Sequence, residues 1–140
     1  MLVDFSALVP PETPNWYAAC PPGWTQPWCR EPAPVFDLPL QSLEGDAIAA
    51  IAALPRVSLL DHDRQDHQAL VEQRTPVFGF TDRVVIAFVG LPDGQTSLVI
   101  YSRSQVGRWD LGKNRARVRD WIAVLERRLR PDSPHDAPRL

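Results

Sequence analysis

Between residues 102 and 117 the chain reads SRSQVGRWDLGKNRAR. Hydroxyls at Ser102 and Ser104, an acid at Asp110, an amide at Asn114 and cations at Arg103, Arg115 and Arg117 fall in this one window. Gly107 and Gly112 allow a tight loop between them. A helix that opens here would offer backbone N–H groups beside hydroxyls and arginines, a ready site for an anion. The same residues can also serve structure alone. Asp110 or Asn114 can cap the helix, worth about 1 kcal/mol, and Arg115 or Arg117 can pair with Asp82 or Asp110. A cation near a helix N-terminus is unfavourable for the dipole, so these arginines need an acidic partner or an anionic ligand.

Other chemistry-bearing residues are weaker candidates. Asp61-His62-Asp63 and Asp66-His67 gather metal-capable side chains in a short loop. A polar hairpin turn between two strands is the expected reading, and no metal or cofactor is expected. There is no glycine-flanked serine elbow, phosphate loop or dinucleotide fingerprint. Cys20 and Cys29 are the only cysteines. Two thiols are too few for a structural zinc site. A disulfide across this short loop and two unpaired thiols both stay open, because nothing else fixes the compartment.

Charge is unevenly spread. The whole chain of 140 residues carries a formal −2, yet residues 102–130 hold nine of the fifteen Lys/Arg and only three acids. A basic helix can meet nucleic acid or an anionic membrane. No exposed stacking aromatics are expected to interleave with Arg115, Arg119, Arg127, Arg128 and Arg130, so nucleic acid is not the expected partner. The longest apolar run, Val84 to Leu91, is too short to span a bilayer, which needs about 20 residues. The N-terminus lacks a secretory apolar stretch, so the chain as it stands is expected to be soluble.

The elements that must position these residues are legible in outline. Nine of the fifteen prolines precede residue 40. Proline removes a backbone donor, so residues 1–42 read as an irregular Pro/Trp-rich arm. Trp16, Tyr17, Trp24 and Trp28 are too large to leave in water, so the arm is expected to pack on the domain. A helix is predicted over 43–54, stopped by Pro55. Strands are predicted at 56–62, 68–75 with a continuation at 77–80 beyond Pro76, 83–89 and 96–102. Leu91-Pro92-Asp93-Gly94 turns the last two into a hairpin. Val118, Trp121, Ile122, Leu125 and Leu129 form one apolar stripe on a helix over 113–130. The expected fold is α+β: a four-stranded antiparallel meander sheet with both helices on one face. The domain would span 43–130, with a flexible tail at 131–140.

The stretch from Tyr101 to Leu129 resembles the signature of the bacterial and plastid family called domain of unknown function 1499. That signature runs R-S-x-S-R-x-G-x-x-D-L-G-x-N-R-x-R-[VI]. Ser102, Ser104, Gly107, Asp110, Leu111, Gly112, Asn114, Arg115, Arg117 and Val118 match it. FGFTDRVVIAF at 78–88 resembles the family's F-x-F-x-D-D-V-x-F segment through Asp82, and Thr13-Pro14-Asn15 resembles its S-P-N. Gln105 and Arg83 depart from the usual arginine and second aspartate. The resemblance covers about 12–130. It implies a fold and a shared site, and no reaction. Similar versions often carry a membrane helix ahead of this domain, which implies the cell envelope.

Two readings follow. The first is a non-catalytic binding module on the periplasmic side of the bacterial envelope. Its 102–117 loop would hold an anionic small molecule, a lipid headgroup or an envelope protein. The second is an enzyme built on Asp82, Ser102, Arg103, Asp110 and Asn114. Burial discriminates them, because catalytic groups must converge in a pocket with perturbed environments rather than be spent on each other.

Overall fold

The computed structural model describes residues 1–105, 107 and 109–130. Its elements run β1 (Trp16–Cys20), β2 (Glu31–Pro32), α1 (Leu40–Ala52), β3 (Val57–Asp63), β4 (Gln68–Arg74), β5 (Thr81–Gly90), β6 (Thr96–Ser104) and α2 (Lys113–Leu129). The tail expected at 131–140 lies outside the described residues.

The fold is α+β, but the sheet is six-stranded and mixed rather than a four-stranded antiparallel meander, in the order β2-β1-β6-β5-β4-β3. The meander of β3 to β6 is present, each strand antiparallel to the next. The arm supplies the other two strands. WYAAC is a proline-free stretch between Pro14 and Pro21 that opens on two aromatic residues, which suit a pleated surface. It pairs antiparallel with β6, Trp16 opposite Arg103 and Ala19 opposite Ile100. The short β2 then pairs parallel to β1. Its Pro32 sits on the sheet edge, where a missing donor costs least. The arm is thus irregular only around its prolines.

Alternation along the strands sends side chains to two cores. Val71, Val84, Ile86, Leu98 and Ile100 meet Leu43, Ala47 and Ile51 of α1 and Val118, Trp121 and Leu125 of α2. Both helices therefore lie on one face. On the opposite face Val85, Ala87, Val99 and Tyr101 lie under Phe5 and Trp28. Trp28 is buried, while Trp16 and Trp24 are half-buried. A sheet covered on both sides explains why RVVIAFV is apolar without alternation. Cys20 and Cys29 form a disulfide, which closes the Trp24–Trp28 loop.

The segment 77–80 does not continue a strand. β4 ends at Arg74, and the chain turns through 75–80 before β5 begins. The Pro76 nitrogen has no hydrogen to give a neighbouring strand, which fits the ladder stopping here.

Candidate functional site

The β5–β6 register sets Asp82 opposite Ser104 and Val84 opposite Ser102. The β4–β5 register sets Gln73 opposite Asp82. These residues meet the first two turns of α2 at one end of the sheet. Asp82 is 1% exposed, and its carboxylate accepts from Arg117 Nη2 at 2.6 Å and pairs with Lys113 Nζ at 3.0 Å. Arg117 also donates through Nη1 to Ser102 Oγ and Asn114 Oδ1, and through Nε to Gln73 Oε1.

Asn114 is the hub on the other side. Its Nδ2 donates to the Asn15 carbonyl, to Ser104 Oγ and to Asp110 Oδ2, and its Oδ1 accepts from Ser102 Oγ at 2.6 Å. Asp110 Oδ1 accepts from the Gly112 backbone N–H at 2.9 Å, and Oδ2 accepts from that of Asn114 at 3.4 Å. Two N–H groups at the start of α2, those of Gly112 and Asn114, thus meet a carboxylate of the chain itself, and that of Lys113 donates to the Asp110 carbonyl. Asn15 Nδ2 donates to the Gly107 carbonyl and ties the arm to the same loop.

Asp82, Ser102, Ser104, Asp110, Asn114 and Arg117 therefore form one network. Arg103 and Arg115 stand outside it, exposed to solvent. Among the described residues, every buried side-chain nitrogen or oxygen has a hydrogen-bond partner. A network satisfied in this way fixes the β6–α2 connection against the sheet.

Four residues at this end of the sheet lay beyond sequence reasoning. Gln73 and Lys113 enter through strand register and the α2 first turn, and neither stood out by type. Arg56 and Arg74 line a groove of about 280 Å3 beside the network, together with Lys113, Arg117 and Asp120. Arg56 adopts a left-handed backbone, φ 61°, and its Nε donates to the Arg74 carbonyl at 3.0 Å.

The histidines go elsewhere. His62 Nε2 and His67 Nδ1 each sit 2.7 Å from one oxygen of buried Glu44 on α1. Asp61 and Asp66 face solvent. No group of three or more His, Cys, Asp or Glu among the described residues is disposed to hold a metal ion. On the far side of α2, burial pushes the Glu31 carboxyl upward, but the Tyr17 hydroxyl and Arg119 outweigh it. The result is a carboxyl below its ordinary range. No helix among the described residues is long and apolar enough to cross a membrane.

A family model described as a protein of unknown function, DUF1499, matches residues 18–125. No curated protein matches the chain.

Proposed function

The chain belongs to the DUF1499 family, and from that premise we propose that it is a non-catalytic binding module on the periplasmic side of a bacterial cell envelope. It takes an anionic group at the end of the sheet where residues 102–117 lie. The observation that carries this reading is the groove lined by Arg56, Arg74, Lys113 and Arg117 against a single lining acid, Asp120. Asp82 beneath is already shared by Lys113 and Arg117. That arrangement leaves Arg56 and Arg74 as surplus positive charge at the rim, while Arg103 lies on the sheet face of Tyr101 and Arg115 near Glu31. Arginine holds phosphate-like oxygens through two parallel N–H donors.

The satisfied network supports binding over catalysis, since Ser102, Asp110 and Asn114 are held by one another and the backbone, and Asp82 by Arg117 and Lys113. The disulfide supports the compartment, because such bridges persist in oxidising surroundings such as the periplasm.

Thermal melting in phosphate or sulfate, against chloride at matched ionic strength, tests the reading. The wild type should melt higher in either oxyanion, because a ligand that binds only the folded state stabilises it. Arg74→Gln, at an exposed position, should remove most of that rise without lowering the melting temperature in chloride. Equal melting in all three salts rejects the anion site.

A further inference from the structure

Two loops leave the same end of the sheet side by side. The chain enters β5 from Phe80 and leaves β6 after Ser104, and Asp82 and Ser104 are cross-strand partners. Neighbouring strands lie about 4.8 Å apart, so the 75–80 turn and the connection bearing Trp109 and Leu111 leave the same end of the sheet, with Trp109 lining a hollow beside Glu12, Thr13 and Pro14 of the arm. Both tips carry large apolar side chains into solvent. Val77 is 83% exposed, Phe78 76%, Trp109 76% and Leu111 99%. The Phe78 and Phe80 rings stack on each other at 5.5 Å. Leu111 sits in the left-handed region, φ 52°, where a leucine is strained and a glycine would be at ease.

Cations stand just behind these tips. Arg74 ends β4, Lys113 begins α2, and Arg56 lies against the Arg74 carbonyl. Arg83 and Arg103 face each other across β5 and β6, both exposed. Like charges directly opposite are unfavourable, and Glu72, opposite Arg83 on β4, is the acid in that row.

We propose that this end of the molecule docks on an anionic phospholipid bilayer. Phe78, Phe80, Trp109 and Leu111 would enter the interfacial layer, while Arg56, Arg74, Arg83, Arg103 and Lys113 meet the headgroup phosphates. Aromatic side chains concentrate at the membrane–water interface, and long cationic ones keep their charge in the headgroup layer. A juxtaposed cluster of Lys and Arg is drawn to anionic lipid. The apolar groups lie on two projecting tips, a shape that suits a deformable lipid surface. A stable protein interface needs a continuous patch of about 800 Å2 per partner. The proposal rests on the anion-binding reading for its cations and on the tips for its apolar contribution.

Flotation of the full chain with vesicles tests it, using phosphatidylcholine alone and phosphatidylcholine mixed with phosphatidylglycerol. The wild type should float with the mixed vesicles and much less with the neutral ones. The double variant Phe78→Ser/Trp109→Ser should bind the mixed vesicles about tenfold more weakly or worse, given what burying two aromatic side chains is worth. Its melting temperature and its response to inorganic phosphate should not change. Leu111→Gly should also weaken flotation while melting at or above the wild type. A double variant that floats like the wild type overturns the proposal, as does equal binding to both vesicle types. Absence of flotation with either vesicle overturns it too and assigns the tips to a protein partner. If phosphate still raises the melting temperature in that case, the anion-binding reading stands and only the bilayer is lost.

Discussion

Replacing Asp82 by alanine should cost more than any exposed substitution at this end of the molecule. The carboxylate is 1% exposed and Arg117 7% exposed, so the guanidinium left behind has little access to water. Nη2 loses its acceptor at 2.6 Å, while Nε and Nη1 keep Gln73, Ser102 and Asn114. Lys113 is half-exposed and can turn outward, so the penalty falls on Arg117. Removing one partner of a buried pair costs about 3–5 kcal/mol. For a chain of this size each kcal/mol is worth roughly 3 °C, which gives a fall of roughly 10–15 °C. The assay is two-state melting by far-UV circular dichroism. The double variant Asp82→Ala/Arg117→Met should recover a large part of the loss, because it removes the stranded charge as well. A fall of less than about 3 °C in Asp82→Ala, or a double variant no better than the single, would refute the view that the network is a structural clasp.

Two further outcomes follow from the arm. Reducing the Cys20–Cys29 bridge, or replacing both residues by serine, should lower stability by about 2–3 kcal/mol for a loop this short, read as a shift of the urea midpoint with unchanged slope. Glu31→Gln should cost about 1 kcal/mol or less at neutral pH, since the pair with Arg119 is partly exposed. The folded-state Glu31 is held below its ordinary range. Its contribution is therefore present above that range and fades as pH falls through it, so the wild type and Glu31→Gln should converge in acid.

Much of this architecture was legible because local pattern and tertiary role agree. The stripe Val118, Trp121 and Leu125 reads as a helix face and packs as one. The Pro92–Gly94 turn fixes β5 against β6, and so places Asp82 beside the start of α2, where Arg117 reaches it. The Asp110 acceptor likewise follows from its position ahead of the helix. What was hidden depends on long-range register. Trp16–Cys20 is short and flanked by prolines, and only the free edge of β6 makes it a strand. Gln73 gains its role by standing opposite Asp82, a fact of the β4–β5 pairing alone. VFGF has the composition of a strand, but the ladder ends at Arg74, ahead of Pro76, and leaves Val77, Phe78 and Phe80 exposed at a loop tip. The groove between Arg56, Arg74 and Lys113 joins three elements far apart in sequence, and no local motif announces it.

The claim that this end of the sheet takes an anion is tested most directly by titrating phosphate into 15N-labelled protein and following the amide resonances. Saturable shifts should gather at Arg56, Arg74, Thr75, Lys113 and Arg117, and should vanish in Arg74→Gln. Shifts that are absent, that never saturate, or that gather around Glu44, His62 and His67 would contradict it.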